Sequence, residues 1–275
     1  MERYEHPAPP DGPLAVRWLG HELPEVRAGA AGEARIACEN AGTTAWPGGV
    51  EGTASLSYHW LDTMGNAVVW DGLRNPLRRP IEPGERLELP LLFRAPVPPG
   101  RYRLAVDIVD EGLSWFAELG SPPLDLKVEV RPRIDRRALA VSSTDLGSAT
   151  EKALAAQLEP LVAEDEAEAI AYLARGCVPG PGWSRLVLDA HEEGYGIVSG
   201  PIDTRFGPLR RRPVELATWE PERRKPPAPS RPLLCPSIIK GLEVEWADPV
   251  RGLPAAMRPY GEPWLFDARF GLQAR

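Results

Sequence analysis

The sequence predicts two domains in series, an antiparallel β-sandwich and then a small α/β domain, with an extended Pro-rich region at the C-terminal end. Three observations predict this. Between about residues 14 and 130, short segments alternate apolar and polar side chains with a period of two, and turn residues separate them. After Pro132 the pattern becomes an apolar strand, a polar loop and a helix signal, the opening of an α/β unit. Beyond residue 205 the periodicity gives way to proline and arginine. The predicted boundaries are 1–12 for a flexible N-terminal arm, 13–131 for the sandwich, 132–205 for the α/β domain and 206–275 for the extended region.

The composition sets limits. The 275 residues suffice for two domains, and 43% hydrophobic with 26% charged residues is ordinary for a soluble globular chain. A formal net charge of −7 argues against general nucleic-acid binding. The 32 prolines and 26 glycines favour strands and loops over a helical bundle. Cys38, Cys177 and Cys235 are far apart and odd in number, so the expectation is no disulfide framework, no metal site and a reducing compartment. Neither a secretory signal nor a run long enough for a membrane span is read in the chain. The expected location is the cytoplasm, with peripheral attachment to the cytoplasmic side of a membrane, through a partner, left open.

The arm 1–12 is rich in Pro and charge. In the sandwich, Leu56, Tyr58 and Trp60 alternate with Ser55, Ser57 and His59, and Tyr102, Leu104, Val106 and Ile108 alternate with Arg103, Ala105 and Asp107. Strands are predicted at 14–19, 33–40, 53–60, 67–71, 86–93, 101–109, 114–118 and 124–130. Turns fall at 62–66, 82–85 and 98–100. His59, opposite the Tyr58/Trp60 face, is expected to be exposed, and Asp107, Asp110 and Glu111 to form a solvated turn rather than a metal site. Trp46, Trp60, Trp70 and Trp115 are expected to fill the core or pack its ends. The alternative is a sugar-stacking platform, for which Trp46 and Trp115 are the candidate binding residues.

The run Asn40-Ala41-Gly42-Thr43-Thr44-Ala45-Trp46-Pro47 resembles the N-x-G-x-x-x-W-P hallmark of a group of immunoglobulin-like domains. Pro83-Gly84-Glu85, Ala95-Pro96, Pro99-Gly100-Arg101-Tyr102 and Glu111–Phe116 continue the pattern. Such domains resemble the central domain of the next-to-BRCA1 autophagy receptor and also occur beside bacterial sugar-transfer and methyl-transfer enzymes. Tyr102, after a Pro-Gly turn, fits a tyrosine corner.

In the second domain, Ala138–Ser143 reads as a buried parallel strand running into a loop. Ser148 and Glu151 form a capping box for a helix that carries Leu154 and Leu158 on one face and stops at Pro160. Trp183–Glu193 reads as a helix with Leu186, Val187 and Ala190 inward and Gly194 at its C-terminal cap. Propensity alone carries helix through Leu173.

Residues 137–203 resemble a shortened family 2 glycosyltransferase of the GT-A type, with Cys177-Val178-Pro179 and Pro181-Gly182-Trp183 at its metal corner and Gly196–Ile202 similar to the Gly-rich strand that follows the family's helix. The resemblance makes 169–173 a strand, which is the reading preferred here. It also places Ala174 and Gly176 where the family's Asp-x-Asp would stand, so the metal ligands are lost. The strand–helix–strand that shapes the family's nucleotide pocket has no room between Pro160 and Ile170. Gly261 and Trp264–Asp267 faintly resemble the element near the family's acceptor site.

Between 206 and 275, Arg210, Arg211 and Arg212 form one basic cluster and Arg223, Arg224 and Lys225 another, with Trp219 between them. Arg210, Arg211, Arg212 and Trp219 are candidate binding residues for an anionic surface, set against a solvated loop as the plainer reading. Residues 226–232, PPAPSRP, predict extended polyproline-like chain.

No catalytic residue, metal ligand or cofactor site is identified, because the chain carries no phosphate-binding loop, nucleophile elbow or zinc spacing. The expected function is that of a non-catalytic structural or interaction protein, an accessory subunit with protein partners in a larger complex. The alternatives are a glycosyltransferase or accessory subunit of cell-envelope polysaccharide synthesis, with either a metal-independent mechanism or a metal site rebuilt from Asp145, Asp189 or Asp203, and a carbohydrate-binding module.

Overall fold

The computed structural model describes residues 2–3, 12–50, 52–143, 146–200, 202–203, 235–242 and 264–274. The chain is β-rich and divides into two compact units, Met1–Arg131 and Pro132–Arg275. Asp145, Arg210, Arg211, Arg212, Trp219, Gly261 and the PPAPSRP run lie outside the described residues, as does most of the expected arm and of the region after 205.

The first unit carries β1 (Glu2–Arg3), β2 (Val16–Glu22), β3 (Val26–Arg27), β4 (Ala31–Asn40), β5 (Ala54–Leu61), β6 (Ala67–Val69), β7 (Asn75–Pro76), β8 (Arg86–Arg94), β9 (Gly100–Asp110), β10 (Ser114–Trp115) and β11 (Leu124–Arg131). A 3-10 turn, Phe116–Leu119, occupies the second half of the strand expected over 114–118. One sheet has the order β1-β2-β4-β8. The other runs β3-β11-β9-β5-β6, with β10 on β9 and β7 on β5. Neighbours pair antiparallel except β3 with β11. Glu2 and Arg3 pair with His21 and Gly20, so this part of the expected flexible arm is instead a strand that satisfies the open edge of β2.

Alternation decides which side chains go inward. Along β11, Leu124, Leu126, Val128 and Val130 are buried, while Asp125, Lys127, Glu129 and Arg131 are exposed. Both sheets contribute to a single core: Ile36, Cys38, Leu91 and Phe93 from one, and Leu56, Tyr58, Trp60, Leu104, Val106 and Ile108 from the other. Two aromatics join the sheets through polar atoms. The Tyr58 hydroxyl accepts from the Arg94 N–H at 2.8 Å, and the Trp60 indole donates to the Arg94 carbonyl at 2.8 Å.

The Asn40–Pro47 run closes one end of this core. Asn40 is buried, donates to the carbonyls of Ile81 (2.8 Å) and Thr44 (3.0 Å), and accepts from the Gly42 N–H (3.0 Å). Gly42 is required by close approach, since a Cβ there would lie 2.2 Å from the Pro13 carbonyl oxygen. The Tyr102 hydroxyl donates to the Pro98 carbonyl at 2.7 Å, tying the start of β9 to the turn before it.

The second unit carries β12 (Leu139–Ser142), α1 (Ser148–Ala155), β13 (Ala169–Tyr172), β14 (Cys177–Pro179), α2 (Trp183–Glu193), β15 (Ile197–Ser199), β16 (Ile202–Asp203), β17 (Ser237–Ile239), β18 (Trp264–Phe266) and β19 (Leu272–Ala274). Five strands form a mixed sheet in the order β12-β13-β17-β15-β18, and three form a second in the order β14-β19-β16. The region after 205 therefore holds a central strand and two further strands, which corrects the expectation of an extended segment throughout.

The helices differ in how well local signals foretell them. α2 has the expected bounds, buries Trp183, Val187, Leu188 and Ala190, and ends at Gly194 with φ 127°. α1 departs from its expected form. It stops at Ala155, its N-cap is Gly147 rather than Ser148, no side chain caps it, and Leu158 lies beyond it and is exposed.

Candidate functional site: an aromatic stack and a filled corner

The outer face of the β5–β9 pair was expected to be solvated and is not. His59 is only 6% exposed. Its ring lies between two indoles, with centroids 4.2 Å from Trp70 at an interplanar angle of 24° and 4.2 Å from Trp115 at 54°. Nδ1–H of His59 donates to the Trp70 carbonyl. Burial lowers the His59 pKa, which keeps the ring neutral.

Arg74 completes the stack. Its guanidinium sits 4.9 Å from the Trp115 ring centroid and donates to Ser57 Oγ (3.2 Å), the Gly72 carbonyl (3.0 Å), Asp71 (3.0 Å) and Glu111. Asp107 pairs with Ser57 across the strands and is 1% exposed, which corrects its expected place in a solvated turn. Its carboxylate accepts from the N–H groups of Ile108 (2.8 Å) and Ala117 (3.1 Å), yet desolvation dominates and pushes its pKa up to about 7.

Trp46 and Trp115 are not open platforms. Trp46 is fully buried, edge-on to Phe116 at 5.9 Å, and Trp115 lies under Arg74 and against His59. Trp70, which sequence reasoning assigned to packing, is 52% exposed and holds one face against His59. The strand expected over 67–71 hid this exposure, because β6 ends at Val69 and leaves Trp70 beyond it.

In the second unit the corner that follows β13 is filled. Leu173 is buried, Ala174 packs on the core, and the Ala174 N–H donates to Cys235 Sγ at 3.3 Å. Gly176, at φ 77°, donates to the Leu146 carbonyl at 3.5 Å, and the Cys177 N–H to the Ala174 carbonyl at 3.0 Å. The N-terminus of α2 is also engaged, because the Ser184 N–H donates to Gln157 Oε1 at 2.9 Å. Asp189 is bound by Arg137 at 2.8 Å, and Arg137 also holds Glu159 and Glu192. Nothing is described of Asp145 or of the Asp203 side chain. Among the described residues no three His, Cys, Asp or Glu side chains converge as a metal site. None of the helices described is long and apolar enough to cross a membrane.

His191 and Ser237 meet at the heart of this unit, both buried, with Nε2 and Oγ 2.9 Å apart. A histidine and a serine in contact suggest a nucleophile and its base, but neither is open to a substrate here, so the pair packs and orders the core. Comparison with known proteins finds no family model that matches this chain and no curated protein that matches it.

Proposed function

We propose that this chain is a non-catalytic interaction protein, an accessory subunit that docks on a larger assembly through protein partners. In this reading the first unit is an immunoglobulin-like sandwich, and the second is a small α/β domain reduced from a GT-A-type transferase. One observation carries it: the corner after β13 is built as packing. Ala174 and Gly176 occupy it, Cys235 plugs it, and Gln157 takes up a helix N–H that could otherwise face an anion. The test is the mass of the native particle, gently extracted, with its co-purifying chains identified. A particle well above 30.1 kDa with fixed partners supports the reading. Turnover of any nucleotide sugar by the purified chain would sink it.

A carbohydrate-binding role is favoured by a separate feature. Trp70 presents one indole face, and His59 backs the other. A half-exposed indole followed by the exposed carboxylate of Asp71 has the chemistry to stack a sugar ring and bond its hydroxyls. Titrating glycans while following tryptophan fluorescence tests it. A response that W70A abolishes supports the role, and a flat response across neutral and acidic polysaccharides removes it.

A further inference from the structure

Cys177 and Cys235 stand 58 positions apart in sequence, yet their sulfurs lie 3.8 Å apart in the core of the second unit. Cys177 opens β14, and Cys235 sits two residues before β17. Both are buried, while Arg175, two residues before Cys177, is exposed. The backbone at Cys235 is unusual. Its φ of 41° lies in the left-handed region, where a side chain is strained, and no other described non-glycine residue has a positive φ. The strained residue is the one that brings its sulfur to Cys177 and to the Ala174 N–H.

We propose that Cys177 and Cys235 form an oxidisable dithiol that a small hydroperoxide converts to a disulfide. A disulfide bond of about 2.05 Å requires the sulfurs to close by roughly 1.8 Å, a side-chain adjustment rather than a refolding. The two thiols are not equivalent. Cys235 S–H donates to Cys177 Sγ, and this bond lowers the Cys177 pKa; in this proposal Cys177 is the attacking thiol and Cys235 the resolving one. Cys38, in the first unit, is the contrast: burial pushes its pKa up to about 12.

The chemistry balances. The Cys177 thiolate attacks one peroxide oxygen, an S–O bond forms, the O–O bond breaks, and water leaves after taking up a proton. Cys177 is now a sulfenic acid, oxidised by two electrons. The Cys235 sulfur then attacks the Cys177 sulfur, the S–O bond breaks, and a second water carries off the Cys235 proton. Two thiols and one hydrogen peroxide give one disulfide and two waters. Burial selects the oxidant, since hydrogen peroxide is scarcely larger than water while a bulky disulfide such as oxidised glutathione is excluded.

The test treats the full chain with hydrogen peroxide, quenches it in acid, alkylates free thiols and maps peptides without reduction. The expected result is a cross-link between the peptides of Cys177 and Cys235, reversible by dithiothreitol, with Cys38 still alkylated. In C235S the sulfenic acid at Cys177 should persist and be trapped by dimedone supplied in the buffer that unfolds the chain. Three results overturn the proposal: Cys177 and Cys235 both still alkylated after peroxide, Cys177 driven to sulfinic acid beside a free Cys235, or the same random cross-links as a urea-unfolded control. Should C235S fail to fold, the wild-type map decides by itself.

Discussion

The Ser237 hydroxyl donates a 2.9 Å hydrogen bond to Nε2 of His191, whose Nδ1–H in turn donates to the Tyr195 carbonyl at 2.7 Å. The neutral ring thus has both nitrogens satisfied, and burial drives its pKa down to about 4 from the usual 6.5. The unfolded chain takes up a proton below pH 6.5, and the folded one refuses it until about pH 4. Stability of the second unit is therefore full above pH 6.5 and falls as pH drops toward 4, by about 3 kcal/mol in all. Hydrogen exchange across this pH window should show the loss in the second unit, and H191Q should remove that part of the slope. An unchanged slope in H191Q would disprove the assignment.

Asp107 should give the first unit the opposite trend. Its folded pKa is raised to about 7, so between pH 3.8 and 7 the native state holds a proton that the unfolded chain has lost. Stability from this group is present at low pH and declines as pH rises to 7, by up to about 4 kcal/mol. D107N sets an amide N–H against one of two backbone donors, from Ile108 and Ala117, and should lose about 1–3 kcal/mol at pH 5. The decline from pH 4 to 7 should also flatten in D107N. Denaturant midpoints across pH give both readings.

Trp46 and Trp60 are both fully buried, but their polar atoms differ. The Trp60 N–H bonds the Arg94 carbonyl, whereas the Trp46 N–H has no partner among the described residues. Trp→Phe should therefore be worse at position 60 than at 46, by about 1–2 kcal/mol, since only W60F removes a hydrogen bond. Equal losses in chemical denaturation would count against this.

Asn40 uses its amide in both senses, as donor to two carbonyls and acceptor from one N–H. Asn40→Asp replaces the donor with an oxygen facing carbonyl oxygens in a buried site, and should destabilise the first unit by about 2–4 kcal/mol at pH 7. The penalty should shrink in acid, where the carboxyl regains a proton to donate. Thermal melts at pH 4 and 7 distinguish this from simple loss of packing.

Strands whose neighbours are close in sequence or whose faces are unlike were legible. β11 shows the alternation in every residue, and β13 spans Ala169–Tyr172 where a strand was expected over 169–173 against helix propensity. Helix α2 was bracketed by Trp183 and Gly194. The misses came from groups covered by remote chain. His59 has the period of an outward residue, and only the arrival of Trp70 and Trp115 buries it. Asp107 disappears for the same kind of reason, through the N–H of Ala117. Cys177 and Cys235 looked isolated because nothing local reports that β17 brings residue 235 back to the corner. β17 itself, three residues between Pro236 and Lys240, is too short to show a period.

That strand also sets a timetable. β17 lies between β13 and β15, pairing Ile238 with both Ile170 and Ile197. On the ribosome, β13 and β15 emerge before the strand that must separate them is free to pair. The second unit thus passes through a stage with two open strand edges facing a gap, the kind of surface that recruits wrong partners. The first unit has every strand in hand by Arg131. Nascent chains stalled before Ser237 should carry a protease-resistant first half and a sensitive second half, and the demand for chaperones during synthesis should fall on the second half alone.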